Sequence, residues 1–271
     1  MNKKNIFIDT CETRFGNQLY PIACALTLYG KYPNEFNKPL FKTAGQHKYC
    51  LDLLNKFFSD NINYDRTVFD AEWDKSDKEG IKNNIIINNS HVRFIGYCQN
   101  NDLIDEKIIQ QFISIPNDVK EKIFELYGNL SDYICLHVRR GDYLWSDNTK
   151  LYNVLSKEYI EKVISKYFQN DKIICISDDI NWCKENLSNN QNIIFADKNT
   201  DNISPVIVDF FIQTLTKGNI ISASSFSAMG VLLNPNPNKI CVAPNPMYKH
   251  KPWNSELNIR PKYSIIENLD S

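Results

Sequence analysis

The second half of the chain alternates short, nearly continuous apolar runs with segments that have helical spacing. Such runs are typical of strands buried on both faces, which form a parallel sheet covered by helices on each side. Ligands of these sheets bind beyond the carboxyl ends of the strands. The predicted strands are 132–138, 172–177, 192–196, 219–223 and 239–243, and the predicted helices are 156–168, 181–187, 205–216 and 226–233.

The first half is less regular, and residues 30–85 are mixed and rich in Asn, Asp and Lys. The pattern nevertheless predicts further strands and helices before the second unit begins. We therefore predict an α/β fold of two units, 1–128 and 129–271, with the boundary near Gly128. The predicted strands are 5–8, 85–87 and 92–95, and the predicted helices are 17–29, 104–112 and 116–127.

Composition excludes several classes of protein. The net charge of −1 provides no global basic field for nucleic acid or an anionic membrane, so an anionic ligand needs a local basic site. No apolar stretch approaches a membrane span, and the apolar run at the N-terminus stops too soon for a signal peptide. The sequence thus predicts a cytoplasmic protein without a membrane span, in which the eight cysteines are reduced.

Arginine is scarce, with six residues against 25 lysines, yet two arginines are adjacent at the end of a predicted strand. The guanidinium forks of Arg139 and Arg140 match phosphate oxygens, and Gly141 allows a sharp turn. Asp142 can brace one arginine so that the other points at a ligand, and pairing with Arg140 would leave Arg139 for that ligand. A surface basic pair or an Arg-Gly-Asp adhesion tripeptide fits the strand-end position less well.

A second candidate segment, residues 222–227, ends another predicted strand and opens a helix. Backbone N–H groups and the hydroxyls of Ser224 and Ser225 at a helix N-terminus can bind an anion, although a plain serine cap explains them about equally well. Asp209 lies on the preceding helix, where its carboxylate could accept two N–H groups of a guanine edge. Taken alone, a surface acid is the simpler interpretation of Asp209.

Two further loops belong to the first half of the chain. Arg14, Gly16 and Asn17 follow the first strand and precede a helix, so they can lie at a ligand site, although a loop with a helix cap is the simpler interpretation. Residues 96–99, Gly-Tyr-Cys-Gln, form a weaker candidate loop.

Together these motifs resemble the fucosyltransferase superfamily. The blocks are Arg-Phe-Gly-Asn-Gln at 14–18, Gly-Tyr-Cys-Gln at 96–99, His-Val-Arg-Arg-Gly-Asp-Tyr at 137–143 and Ser-Ser-Phe-Ser at 224–227. The resemblance spans about residues 5–245 and is greatest to the α-1,2-fucosyltransferase family. The chain departs from that family at Ala228 and Met229, where the family has paired tryptophans, so linkage and acceptor do not carry over directly.

The resemblance implies a GT-B fold, in which two Rossmann-like units flank a cleft, and a reaction that inverts GDP-β-L-fucose to an α-fucoside. The first unit would be the acceptor side and the second would bind the donor. In family terms, Arg139 holds the β-phosphate, His137 contacts the nucleoside and Asn17 lies near the leaving oxygen. Further donor contacts are implied for Arg14, Gly16, Arg140, Asp142, Asp209, Ser224, Ser225 and Phe226.

Charge explains the implied mechanism. An arginine aimed at the β-phosphate stabilises the charge that builds there as fucose leaves, and it can replace a divalent metal. No Asp-x-Asp triplet is present to hold such a metal, and no cofactor is expected. The general base stays open among Asp9, Glu12 and Asp142.

The partners expected from the resemblance are GDP-fucose and a glycan acceptor, most simply a galactoside that receives an α-1,2 linkage. Two alternatives stay open. One is a transferase of the same superfamily with another acceptor, such as a protein hydroxyl or an α-1,6 position. The other is a GDP-sugar-binding module without catalysis, which the replaced tryptophans could fit.

Overall fold

The computed structural model describes residues 3–10, 14–43, 85–87, 91–95, 97–249 and 258–269. The chain forms two compact units, Met1–Pro116 and Asn117–Ser271. The boundary lies one helix earlier than the predicted one at 128/129. The reason is that the helix Asn117–Tyr127 packs against the helix Pro205–Leu215 and so belongs to the second unit. The GT-B arrangement of the two units stays a prediction.

The second unit contains a six-stranded, wholly parallel sheet whose strand order is β10-β9-β8-β5-β6-β7. Counted within the unit, the order is 3-2-1-4-5-6, the order of a dinucleotide-binding Rossmann fold. The strands are β5 (Tyr133–Val138), β6 (Lys172–Ser177), β7 (Ile193–Phe195), β8 (Gly218–Ile220), β9 (Ile240–Asn245) and β10 (Ile265–Asn268). The helices are α3 (Asn117–Tyr127), α4 (Lys157–Tyr167), α5 (Ile180–Leu187), α6 (Pro205–Leu215) and α7 (Ser225–Leu232).

Local sequence explains how helix α4 forms and which side it buries. The Ser156 hydroxyl accepts a hydrogen bond from the backbone N–H of Tyr159 and so caps the first turn. Apolar residues then recur at helical spacing and pack on the sheet face formed by alternate residues of β5 and β6. The buried residues of α4 are Tyr159, Ile160, Val163 and Ile164.

The first unit contains a four-stranded sheet of order β2-β1-β4-β3, in which β1 is parallel to β2 and β4, and β3 is antiparallel to β4. Helix α1 carries twelve buried residues and packs on β1 and on α2. The strands are β1 (Asn5–Thr10), β2 (Leu40–Thr43), β3 (Ile85–Ile87) and β4 (His91–Ile95), and the helices are α1 (Phe15–Lys31) and α2 (Glu106–Phe112).

The predicted α/β class and parallel sheet are confirmed, and each predicted strand and helix is present within a few residues of its expected bounds. Two strands were not predicted, β2 and the edge strand β10. Within the described residues, no helix combines the length and apolar character needed to cross a bilayer. Two predicted site residues, Gly96 and the candidate base Glu12, lie outside the described residues.

Candidate functional site

The strand order of the second unit reverses between β5 and β8, and the loops that follow these two strands meet there. In Rossmann sheets the ligand binds at this reversal, outside the carboxyl ends of the strands. The buried Ser222 joins the two loops, because its hydroxyl donates to the His137 carbonyl oxygen at 2.7 Å and accepts the Arg139 backbone N–H at 2.9 Å. The two predicted motifs of this unit therefore form one site.

Arg139 is held by two carboxylates. One terminal nitrogen of its guanidinium pairs with Asp142, and the other lies 2.8 Å from an oxygen of Asp178. The guanidinium carbon also lies 5.4 Å from the ring centre of Tyr143. Because a guanidinium has five N–H donors in a fixed plane, these two carboxylates orient it and leave further donors for a ligand.

The Arg140 side chain contacts Asp179 and Trp182 and not Asp142. Its Nε donates to Asp179 at 3.1 Å, and its guanidinium carbon lies 3.8 Å from the ring centre of Trp182, a stacked cation–π contact. Its backbone N–H donates to Asp178 at 2.8 Å. Asp142 therefore braces Arg139, whereas the pairing considered from the sequence was with Arg140. In this geometry Arg140 fixes the loop to α5, and its predicted contact with the donor stays a prediction.

Gly141 allows the Asp178 carboxylate to approach the backbone closely. A Cβ at this position would collide with the Asp178 carboxylate, which supports both Arg139 and the backbone of Arg140. A side chain here would push Asp178 away and release Arg139. The sequence suggested a glycine for a turn, whereas the structure shows a glycine that lets a carboxylate approach.

His137 lies in β5 and is buried beneath the ring of Phe226, with ring centres 5.3 Å apart. Burial lowers the pKa of His137 to about 3, so the imidazole is neutral at physiological pH. Its Nδ1 is buried and has no hydrogen-bond partner in the described part of the chain. The side chain thus presents a neutral nitrogen and not a positive charge.

The N-terminus of α7 opens onto the same site. Ser224 is the N-cap, and its hydroxyl accepts the Phe226 N–H at 3.3 Å, while Ser225 is the first helical residue. The N–H groups of a helix's first turn point out of its N-terminus, and together with the helix dipole they favour an anion nearby. Ala228 and Met229, where the sequence departs from the motif that it resembles, are completely buried in this helix.

Asp209 lies on α6, whose Phe210 packs edge-on against Phe226 with ring centres 5.4 Å apart. The Asp209 carboxyl forms no hydrogen bond or ion pair with the described residues. Burial raises its pKa to about 8. A carboxyl with a pKa raised in this way, close to the other candidate residues, is itself a candidate for contact with a ligand.

The sequence analysis missed three supports of this site and assigned no role to a fourth, Tyr143, although that residue ends the motif at 137–143. Asp178 and Asp179 follow β6, so their position at a strand's carboxyl end was the signal that could have revealed them. Tyr143 donates its hydroxyl to the Ala223 carbonyl oxygen at 2.8 Å and stacks on Tyr152, and burial raises its pKa. Trp182, which carries Arg140, was assigned only to a helix.

The first unit brings its own two motifs together. The Gln99 side-chain amide donates to the Asn17 side-chain oxygen at 2.7 Å, so the loop of residues 97–99 lies against the start of α1. Gly16 is buried, whereas Arg14 is exposed at the position just before the helix. The predicted catalytic pair, Arg139 and Asn17, belongs to different units, and its assembly stays a prediction.

The chain is similar in sequence to two known glycosyltransferases. Two proteins of Escherichia coli are similar: the O-antigen biosynthesis glycosyltransferase WbnK, 31% identical over 169 residues, and an alpha-1,2-colitosyltransferase, 29% identical over 175 residues. These matches cover 55% and 60% of this chain and span only 54% and 59% of the relatives' own lengths.

Among solved structures, the fold is similar to the fucosyltransferase NodZ from Bradyrhizobium, with a TM-score of 0.54 and 12% identity over 86% of this chain and 95% of that one. NodZ alpha-1,6-fucosyltransferase has also been crystallised with GDP and soaked with GDP-fucose, and both structures give the same TM-score. At this identity the likeness concerns the fold alone.

The profile of "Glycosyl transferase family 11" matches residues 79–267, which include every strand of the second unit except the last residue of β10. This match covers more than half of the chain and agrees with the resemblance drawn from the motifs. The chain therefore belongs to glycosyl transferase family 11.

Proposed function

We propose that this chain transfers L-fucose from GDP-β-L-fucose to a hydroxyl of a glycan acceptor, with inversion and an α-1,2 linkage to galactose. One observation carries the proposal: Arg139, braced by Asp142 and Asp178, lies at the reversal of a Rossmann-ordered sheet, beside the N-terminus of α7. The proposal includes the GT-B organisation, with the second unit as the donor unit and the first as the acceptor side.

Orientation of Arg139, and not net charge, supports a diphosphate at this site. Arg139 and Arg140 carry two positive charges, whereas Asp142, Asp178 and Asp179 carry three negative ones, so the cluster sums to −1 before a ligand arrives. A diphosphate therefore needs the aimed N–H groups of Arg139 and of the α7 N-terminus. Such fixed donors stabilise developing charge without reorganising during the reaction.

Asp209 supports a guanine base. Its unpartnered carboxyl can accept two N–H groups from the edge of guanine, whereas uracil presents only one N–H on its base-pairing edge. His137 and Phe226 supply a neutral, largely apolar surface nearby. A base with two adjacent donors would therefore bind better here than one with a single donor.

The proposed chemistry follows from these positions. As the bond from fucose C1 to the β-phosphate oxygen breaks, negative charge grows on that oxygen, and Arg139 stabilises it more than it stabilises the intact donor. Asn17 would lie near the same leaving oxygen. The acceptor hydroxyl would attack C1 from the opposite face and pass its proton to a general base, so the configuration inverts. Because Arg139 stabilises the charge on the leaving group, no metal would be required.

A second donor is supported by one relative, because the E. coli protein is named as an alpha-1,2-colitosyltransferase. Colitose is fucose without its 3-hydroxyl, so the two donors would share the GDP contacts proposed above. A different acceptor, or binding without transfer, are the other candidates. These alternatives all include GDP binding, and they differ in which product forms or in whether any product forms.

Calorimetric titration with GDP, UDP and ADP, followed by transfer assays with GDP-fucose, GDP-colitose and GDP-mannose, tests the proposal. We expect GDP to bind at least about tenfold more tightly than UDP or ADP, a difference of about 1.4 kcal/mol. We expect a fucosylated β-galactoside with an α anomeric proton in the NMR spectrum. Equal binding of GDP and UDP would contradict the donor assignment, and GDP binding without any transfer would favour the non-catalytic module.

A further inference from the structure

A short loop beside Arg139 exposes an unusual apolar edge. The 3-10 turn Gly141–Leu144 is followed by Trp145, and 66% of the Trp145 surface and 47% of the Leu144 surface are exposed. The Trp145 indole makes no hydrogen bond, ring contact or cation–π contact with the described residues. Single exposed apolar residues are common on protein surfaces, so exposure alone carries no conclusion.

The backbone that carries this indole is fixed on both sides. The Trp145 N–H donates to the Asp142 carbonyl oxygen at 3.1 Å, and the Asn148 side-chain amide donates to the same oxygen at 2.8 Å. The Trp145 carbonyl oxygen accepts the N–H groups of Asn148 and Thr149 at 2.9 and 3.0 Å. The indole is thus exposed to solvent on a hydrogen-bonded backbone. A side chain held in this way loses little conformational entropy when it contacts a ligand.

This backbone is continuous with the candidate donor site. The carboxylate of Asp142 braces Arg139, while its carbonyl oxygen holds Trp145. Within the turn, the Tyr143 hydroxyl donates to the Ala223 carbonyl oxygen, and the Tyr143 ring stacks on Tyr152 with ring centres 4.1 Å apart. Residues 141–145 therefore position Arg139 through Asp142 and expose the indole of Trp145 to solvent.

We propose that Trp145 is the stacking platform for the galactose ring of the acceptor. This inference rests on the proposed function, which supplies the galactoside. The axial 4-hydroxyl of galactose leaves the C–H groups of C3, C4 and C5 on one face, and this apolar face fits the electron-rich face of an indole. Asp209 on α6 is the proposed partner of the donor's guanine, so we assign the indole to the acceptor, as one acceptor contact that the donor unit itself supplies.

Steady-state transfer kinetics with lactose and titration with GDP test this role. We expect Trp145→Ala to raise the KM for lactose at least about tenfold and to leave the Kd for GDP within twofold of the wild-type value. Trp145→Phe, which keeps an aromatic face, should recover most of the lost affinity. The matched control is Phe124→Ala, because Phe124 is 64% exposed on α3 beside the loop that enters the amino end of β5.

A second measurement uses the unmodified chain. With GDP present and the protein's aromatic protons irradiated, saturation transfer to lactose should be stronger at the galactose H3, H4 and H5 protons than at the glucose protons. Equal saturation of the two rings would overturn the proposal, as would a wild-type lactose KM in Trp145→Ala. A GDP affinity that falls in Trp145→Ala would instead place guanine on the indole.

The outcomes separate this inference from the function it rests on. If wild type binds GDP but neither binds nor fucosylates lactose, N-acetyllactosamine or methyl β-galactoside, the galactose platform is wrong while the donor site stands. If wild type fails to bind GDP, the proposed function itself is wrong.

Discussion

The two faces of the second unit's sheet differ in how many buried polar atoms they carry. The face under α4 and α5 is a continuous apolar cluster, and among its described residues the Tyr159 hydroxyl is the one buried side-chain polar atom without a partner. The face under α6 and α7 carries His137, Gln213 and Asn219, each with a buried polar atom that has no hydrogen-bond partner in the described residues. It also carries Asp209, whose pKa burial raises to about 8.

This difference separates stability from ligand binding. Buried apolar area stabilises a fold, whereas a buried polar atom without a partner destabilises it by about 1–3 kcal/mol. A chain keeps such groups where a ligand can use them, and His137 and Asp209 border the candidate site. Substitutions on the apolar face should therefore change stability, and substitutions of the polar groups that border the candidate site should change binding or catalysis.

The largest expected effect is on the apolar face. Leu136 is completely buried in β5, so Leu136→Ala should lower the free energy of unfolding by about 2–5 kcal/mol, because it removes apolar contacts and leaves a cavity. Denaturant titration measures this change. The GDP affinity of the remaining folded protein, measured well below its melting temperature, should be preserved. A loss below about 1 kcal/mol would contradict the assignment of this face to stability.

The next effect concerns the arginine that borders the polar face. Arg139→Lys should keep the fold and lower kcat for transfer by about 10²–10³, because lysine cannot make the planar, braced contact with a developing anion. Arg140→Lys should lower kcat much less, since Arg140 is occupied by Asp179 and Trp182. The two variants are compared at saturating GDP-fucose and matched thermal stability. The reverse order of effects would exchange the roles of the two arginines.

Asp209 makes binding depend on pH. In the free protein its pKa is about 8, and accepting guanine N–H groups requires the ionised form, so binding releases a proton below pH 8. The Kd for GDP should therefore fall as pH rises from 7 to 8, by up to about tenfold per unit, and level off above pH 8. Asp209→Asn should abolish this dependence. An identical pH profile in both proteins would remove Asp209 from the guanine site.

The stability of the folded chain depends on pH in the sense opposite to that of GDP binding. Between pH 4 and pH 8 the buried carboxyl holds a proton in the folded chain and has lost it in the unfolded chain. Without GDP, Asp209 therefore makes the fold less stable as pH rises through this window. Saturating GDP should reduce this slope, because the ligand favours the ionised carboxylate in the folded state.

A smaller effect tests whether every buried polar group of this face serves the ligand. Gln213 is completely buried, both atoms of its amide lack partners, and Gly230 gives it room to pack. Gln213→Met keeps the volume and removes the unpartnered amide, so it should raise the free energy of unfolding by about 1 kcal/mol without changing GDP affinity. A loss of stability would show that the amide has a partner, such as a buried water.

The smallest effect expected is that of chelation. If Arg139 and the N-terminus of α7 neutralise the leaving group, transfer in excess EDTA should proceed at the rate measured without it. The control is addition of manganese to the chelated enzyme, which should not raise the rate. Loss of transfer in EDTA that manganese restores would place a metal in the mechanism.

Much of the fold could be predicted from the sequence, because strands buried on both faces are apolar throughout and their connecting helices have a clear period. The edge strand β10 escaped prediction, since Ile265 and Ile266 are partly exposed and the strand carries polar residues as well. The short strand β2 lies in a stretch where Asn, Asp and Lys obscure any period.

The motifs marked the site, but their partners depend on three-dimensional neighbours. Arg139 and Asp178 come from loops after adjacent strands, and nothing in the spacing of a sequence indicates which carboxylate will face which guanidinium. For the same reason, the hydrogen bond between Asn17 and Gln99 became visible only in the structure, although both motifs had been identified.

The hydroxyl of Ser222 has a consequence for the timing of turnover. Because it bonds to the His137 carbonyl oxygen and to the Arg139 N–H, on either side of Val138, the arginine loop and the segment that leads into α7 are tied together. We therefore expect GDP to leave by breaking its contacts with the held Arg139 guanidinium, and not by the slower opening of a loop. The lifetime of the product complex would then be set by ionic contacts, and raising the salt concentration should shorten it.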